Sequence, residues 1–194
     1  MFEKLLEWDR DTFIYLNSLG IEKYDGFWSV VTSISTWIPL FLLFIILLFL
    51  KHGKLEGLYR LLTVLIMVLL VLTITDLTKE FVARLRPNND EEINALIRIL
   101  KSPTDYSFFS GHAASSFSIT LLIFLFLRKK IKWSAVFFLW PILFAMSRIF
   151  VGVHFPIDIL VGMLFGLFSA YLFYRLHPRL SALYSRLNRR EPAR

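Results

Sequence analysis

Three short runs hold the side chains with the most chemical potential in this chain. Lys79 and Arg86 stand seven residues apart, with Pro87 next, where a long apolar stretch ends. Ser110, Gly111 and His112 open another apolar stretch, and Ser147, Arg148, His154 and Asp158 join the last two. One lysine and two arginines offer fixed positive charge and planar arrays of donors, which suit phosphate oxygens. Seven residues make two helical turns, so Lys79 and Arg86 are expected on one helix face, with Pro87 stopping that helix. Ser110 and Gly111 at a helix start add backbone N–H groups and the positive end of the helix dipole. A carboxylate four residues after a histidine can accept from one ring nitrogen and aim the other at an electrophile, and Pro156 between them suits a first helical turn. The chemistry this permits is phosphoryl transfer. His154 attacks phosphorus with Asp158 orienting it, His112 protonates the leaving oxygen and then activates water, and the cations stabilise charge on the equatorial oxygens.

Each run alone has an ordinary explanation. Lysine and arginine at span ends commonly anchor in headgroups. A single Ser-Gly-His is a weak pattern, and a His and an Asp four apart can simply cap a helix. A metal site is the competing reading of two histidines and an aspartate. Three neighbouring cations oppose a second cation, however, cysteine is absent, and His52 and His177 fall at the other side of the membrane. No metal or other cofactor is expected.

The elements that must position these residues are membrane helices. Of 194 residues 56% are hydrophobic, with 20 Phe, and they gather in long blocks instead of alternating with polar faces. Residues 29–50, 58–78, 108–127, 133–150 and 157–174 reach or approach the roughly 20 helical residues needed to cross a hydrocarbon core. The fold class is therefore an all-α integral membrane bundle of about five transmembrane helices. The formal charge of +7 borders the apolar blocks, which fits membrane topology and not nucleic-acid binding. The start of the chain lacks a short apolar core with a small-residue cleavage site, so no signal peptide is expected. Segments 51–60, 128–132 and 175–194 hold 13 Lys and Arg, against nine on the other side, so the positive-inside rule puts the 13 in the cytoplasm. All three motifs then gather at the outer face, where costly ionisable residues signal function.

Two further segments look interfacial. Residues 3–19 set Leu5, Leu6, Trp8, Phe13 and Leu16 opposite Glu3, Glu7, Asp9 and Asp11, the pattern of an amphipathic surface helix. Residues 89–101 read as a short outer-loop helix, with Asn89 and Glu92 as a capping box, Ile93, Leu96, Ile97 and Leu100 as an apolar stripe, and Pro103 as the stop. That helix is a candidate rim for lipid entry. No internal repeat or low-complexity linker interrupts the chain. Residues 1–194 are expected to be one domain, with an interfacial part (1–28), a transmembrane core (29–175) and a basic cytoplasmic tail (176–194).

In this order and spacing, Lys79-x6-Arg86-Pro87, Ser110-Gly111-His112 and Ser147-Arg148-x5-His154-x3-Asp158 resemble the tripartite signature of the type-2 phosphatidic acid phosphatases. That superfamily also includes soluble acid phosphatases and vanadium haloperoxidases, and the resemblance covers about residues 25–175. It implies a helical bundle, metal-independent hydrolysis through a phosphohistidine, and an extracytoplasmic site. His154 would be the nucleophile, Asp158 its partner and His112 the acid, while Lys79, Arg86, Ser110, Gly111 and Arg148 would hold the phosphate. The family usually has proline where Phe109 stands, a change that loosens the turn but removes no donor. Its commonest membrane form has six spans, and here the N-terminal helix would replace the sixth.

The function expected is removal of phosphate from a membrane lipid at the outer face of a bacterial cytoplasmic membrane. Undecaprenyl diphosphate, a lipid A phosphate, phosphatidylglycerol phosphate and phosphatidic acid all fit, and envelope carriers presented at that face favour the first two. The partners are the lipid and the bilayer, with no nucleic acid. Two alternatives stand beside this: a phosphotransferase whose acceptor is not water, and a non-catalytic transporter of anionic lipids. A transporter would carry charges deeper in several spans, where this chain offers only Asp76 near a span end.

Overall fold

Backbone polar groups inside a bilayer must be satisfied within their own segment, and helices do this. The computed structural model describes residues 2–188, which form seven α-helices joined by loops and 3-10 turns. These are α1 (Phe2–Ser18), α2 (Asp25–Val31), α3 (Ile38–His52), α4 (Lys54–Val82), α5 (Gly111–Leu127), α6 (Leu139–Phe150) and α7 (Pro156–Asn188). With the 3-10 turn before it, α3 is long and apolar enough to cross a membrane, as are α4 and α7. The shorter apolar helices α5 and α6 fall where the other two spans are expected. The chain is thus an all-helical membrane protein.

The core between these helices is large and aromatic, centred on Phe44, Leu48, Met67, Val71, Leu122, Ile123 and Phe144. The approach of α5 to α7 matters most for the site. A Cβ on Gly162 would lie 2.5 Å from the Ser110 carbonyl oxygen, and one on Gly166 would lie 2.3 Å from that of Ala114. Two glycines one turn apart on α7 therefore let the two backbones touch. That contact docks the first turn of α5, with Ser110, Gly111 and His112, beside the start of α7.

Several expected elements differ in detail. The stretch 29–50 is not one helix: α2 stops at Val31, Ser33 is extended, and a 3-10 turn (Ile34–Trp37) leads into α3. Pro39 lies in the first turn of α3 and cannot continue a helix from upstream. Side chains brace the carbonyls at the break, with Thr36 Oγ1 donating to Val30 O at 2.7 Å and Trp37 Nε1 to Val31 O at 2.9 Å. The outer-loop helix over residues 89–101 is reduced to 3-10 turns at Pro87–Asn89 and Asn94–Leu96. Its capping box does not form, because Asn89 Nδ2 donates to Pro103 O at 3.0 Å and the Glu92 carboxylate turns to Arg10. Part of the apolar stripe is used all the same: Ile93 is buried against Phe13 and Phe155 with Ile97 packed beside them, while Leu96 is exposed. Finally, α7 continues well past residue 174, while residues 189–194 of the basic tail lie outside the described residues.

Candidate active site

The cationic side of the site forms where α4 ends. Ala83 adopts a left-handed conformation (φ 50°), and its N–H bonds back to Lys79 O at 2.9 Å, closing the helix four residues before Pro87. Lys79 and Arg86 consequently do not share a helix face, since Arg86 lies on extended backbone. They converge through Asp105 instead. Its carboxylate accepts from Lys79 Nζ at 2.6 Å and from Arg86 Nη2 at 2.9 and 3.0 Å, while Arg86 Nε donates to the Asp105 carbonyl at 2.8 Å. Partial burial pushes the Asp105 carboxyl up, but the two cations outweigh it and hold it well below the usual carboxylate range. In this state a carboxylate occupies the two cations.

His154 sits in the connection between α6 and α7 and is 1% exposed. Gly152 shapes that connection at φ 83°, where a Cβ would come within 2.4 Å of Arg98 O, so only glycine fits. His154 Nε2 lies 2.9 Å from Arg86 Nη1, which also donates to Val153 O at 3.0 Å. A guanidinium has only donors, so Nε2 must present its lone pair and the ring proton must sit on Nδ1. Burial, reinforced by the charges of Arg86, Arg148 and Lys79, pushes this imidazole well below its ordinary range, so it stays neutral. Nδ1 faces Asp158 Oδ2 at 3.5 Å, longer than a formed hydrogen bond, and has no other partner. The expected His154–Asp158 pair is thus adjacent but open. The Asp158 carboxylate is instead held by the Phe155 N–H at 3.0 Å and by Arg84 at 2.7 Å.

Arg84 and Asp9 adjoin the candidate residues, and no sequence motif points to either of them. Arg84 bridges two carboxylates, Nη1 to Asp158 and Nη2 to Asp9, both at 2.7 Å, with its guanidinium 4.0 Å above the Phe155 ring. Asp9 Oδ1 also accepts the Ile157 N–H at 2.9 Å. The amphipathic pattern places Asp9 on the polar outer face of α1, yet it is 0% exposed. Burial raises its carboxyl above the ordinary value despite Arg84. Farther along the same face, Asn17 Nδ2 donates to Ile149 O at 2.8 Å and its Oδ1 accepts from Arg98 N at 2.7 Å. The signal was available: Asp9, Phe13 and Asn17 recur every four residues, so the stripe that buries Phe13 must also bury both polar neighbours.

Ser110 caps α5, its hydroxyl accepting from Ala113 N at 3.4 Å. Its own N–H already donates to Asp158 O at 3.0 Å and so is not free for an anion, contrary to expectation. The hydroxyl proton remains available, as do the first-turn N–H groups of Gly111 and His112, which have no acceptor within the helix. The His112 ring packs on Phe144 at 4.9 Å and lies within electrostatic reach of Arg148, His154, Arg86 and Lys79. Arg148, 6% exposed, donates through Nη1 to Thr32 Oγ1, the residue freed by the break after α2, and its Nε has no partner. It lines a cleft of about 390 Å³ with Thr32, Ser33, Lys101, Ser102 and Pro103. All eight expected residues therefore stand at one end of the bundle. Among the described residues no group of three or more His, Asp and Glu is arranged to hold a metal ion.

The features together define a helical membrane protein with a buried, cation-lined histidine site at one end. The model of the PAP2 superfamily matches residues 60–182, and the chain belongs to that superfamily. Over 94% of its length it is 30% identical to the lipid A 4'-phosphatase of Bacteroides thetaiotaomicron, covering 82% of that protein. An undecaprenyl-diphosphatase of Sulfolobus acidocaldarius is 32% identical over 70% of this chain and 61% of its own. The fold also resembles the crystal structure of a transmembrane PAP2 type phosphatidylglycerolphosphate phosphatase from Bacillus subtilis, with TM-score 0.70, 21% identity, and coverage of 91% of this chain and 87% of that one.

Proposed function

We propose that this protein is a metal-independent phosphatase of membrane lipids, working through a phosphohistidine at His154. The observation that carries the reading is the bond from Arg86 to His154 Nε2, which marks that nitrogen as the one bearing the lone pair of a neutral imidazole; an arriving phosphate draws the Arg86 guanidinium onto its own oxygens and frees the lone pair for attack. The Nε2 lone pair attacks phosphorus and the lipid oxygen departs with its bonding pair, taking a proton from His112. His112 then removes a proton from water, whose oxygen displaces Nε2 from phosphorus and releases inorganic phosphate. Arg84, gripped by Asp9, fixes Asp158 so that its second oxygen can take the Nδ1 proton's hydrogen bond as positive charge develops on the ring; such bonds commonly tighten only with substrate bound. Lys79, Arg86, Arg148, the Gly111 N–H and the Ser110 hydroxyl hold the phosphate, and Asp105 yields its place to it.

The substrate class follows from the setting and from what the relatives are named for. A lipid phosphomonoester or diphosphate fits, with lipid A 4'-phosphate and undecaprenyl diphosphate ahead of phosphatidylglycerol phosphate and phosphatidic acid. The distribution of Lys and Arg supports a site at the outer face of a bacterial cytoplasmic membrane. The test is phosphate release from these four lipids by detergent-solubilised protein with EDTA present, wild type beside His154→Ala. Release by wild type alone is expected. Release that EDTA abolishes, or that His154→Ala retains, overturns the mechanism, and lipid consumed without free phosphate reassigns the enzyme as a phosphotransferase.

A further inference from the structure

The end of the bundle opposite His154 holds a second recess, about 670 Å³ in volume. Glu56 and Arg60 in the first turns of α4, Lys129 and Lys130 after α5, and Arg175 and His177 on α7 line it. Arg175 follows Asp158 by 17 residues on one helix, about 25 Å along its axis, so the recess is separate from the proposed catalytic site. Four fixed cations face one carboxylate there. Glu56 is already spent on Arg60, whose Nη2 is 2.8 Å away, and on His177 Nε2 at 3.2 Å. Among the described residues, Lys129, Lys130 and Arg175 have no carboxylate within ion-pair distance.

Cations at the cytoplasmic ends of membrane helices ordinarily stand in open water and need no ligand. Here Arg60 and His177 are built into a wall, and Lys129, Lys130 and Arg175 stand exposed at its rim. Arg60 lies 4.6 Å over the Phe126 ring with its side chain only 19% exposed. His177 is 6% exposed, pinned between Glu56 and the buried Thr63, whose hydroxyl is 2.9 Å from Nδ1. The recess floor is apolar, formed by Leu125, Phe126 and the ring of Tyr174. A concave site with surplus positive charge at its rim and apolar surface below suits an amphipathic anion.

We propose that this recess binds a phosphate-bearing anion, in which the phosphate lies among Lys129, Lys130 and Arg175 and apolar atoms rest on Phe126 and Tyr174. A phospholipid headgroup from the adjacent leaflet and free phosphate share that chemistry. The test follows thermal unfolding of the full chain in detergent, titrated with dioleoyl phosphatidylglycerol, dioleoyl phosphatidylcholine or inorganic phosphate. Wild type is compared with Lys129→Gln/Lys130→Gln/Arg175→Gln and with Arg148→Gln, which alters the other end.

Phosphatidylglycerol is expected to raise the midpoint of wild type and of Arg148→Gln alike, with the apparent affinity falling roughly fivefold for each cation removed at the recess. If inorganic phosphate reproduces the shift and the triple variant loses it, the free anion is the ligand. Equal shifts in wild type and the triple variant, or equal shifts with phosphatidylcholine, would overturn the proposal. Should the triple variant fold poorly, Arg175→Gln alone must still weaken binding, and an unchanged titration counts against the site.

Discussion

Replacing Arg84 with alanine removes the guanidinium that stands between two carboxylates sheltered from water. Asp9 and Asp158 are each 0% exposed, and each loses a 2.7 Å charged contact. Deleting one partner of a buried ion pair costs about 3–5 kcal/mol. Both carboxylates keep one backbone donor, Ile157 N for Asp9 and Phe155 N for Asp158, which favours the lower end of that range. A loss of about 3 kcal/mol lowers the unfolding midpoint by roughly 6–12 °C for a chain of this size. Asp9→Asn leaves Arg84 paired with Asp158 and keeps an oxygen for Ile157, so its loss is about 1.5 kcal/mol. The double variant no longer strands Asp9, and its loss is expected to fall short of the sum by about 1–2 kcal/mol. The sign with pH follows from Asp9, whose folded carboxyl is raised above its unfolded value of 3.8. A raised carboxyl binds its proton more tightly when folded, so it withdraws stability as pH rises through that window. Without Arg84 the window widens upward, and the deficit against wild type is expected to be larger at pH 8 than at pH 5. Thermal unfolding by tryptophan fluorescence in detergent measures all of this, with kcat measured on the folded fraction. Additive losses, a deficit indifferent to pH, or undiminished kcat in Arg84→Ala would refute the positioning role.

Asp105→Asn frees Lys79 and Arg86 of their resident carboxylate, which is about half exposed, so inorganic phosphate should inhibit about two- to fivefold more strongly at neutral pH; weaker inhibition would make Asp105 a phosphate-site organiser and not a competitor. Gly166→Ala sets a Cβ 2.3 Å from Ala114 O, and the forced separation of α5 from α7 is expected to cost roughly 1–3 kcal/mol and to lower kcat by displacing His112 from His154; an unchanged midpoint and unchanged kcat would show that this contact does not set the site.

The all-helical membrane architecture and the gathering of the candidate residues were legible in the sequence because both rest on one-dimensional signals: blocks of apolar residues, and three motifs at the ends of those blocks. Topology alone gathered Lys79, Arg86, Ser110, His112, Arg148, His154 and Asp158 at one end. What was not legible depends on how the loops fold. Ala83 ends α4 early, so Arg86 reaches His154 from extended backbone and not from a helix face. Asp105 lies in a loop with no pattern around it, and only the folded chain reveals that it spans Lys79 and Arg86. Residues 89–101 have helical apolar spacing, but Asn89 and Glu92 find better partners elsewhere and the stripe packs as turns. Asp9 escapes the pattern because a helix with charges on most of its surface reads as amphipathic even where one charge turns inward. Its spacing with Phe13 and Asn17 carried the correction.

The most direct test of catalysis through His154 uses His112→Ala with p-nitrophenyl phosphate, whose leaving group needs no acid. Formation of the phosphohistidine should then survive while its hydrolysis stalls for want of a base. The expected result is a burst of p-nitrophenol equal to the enzyme present, with phosphate bound covalently to His154, stable to alkali, released by acid, and absent from His112→Ala/His154→Ala. A folded His112→Ala protein that turns over slowly with no burst and no bound phosphate would contradict the covalent mechanism and leave direct attack by water in its place.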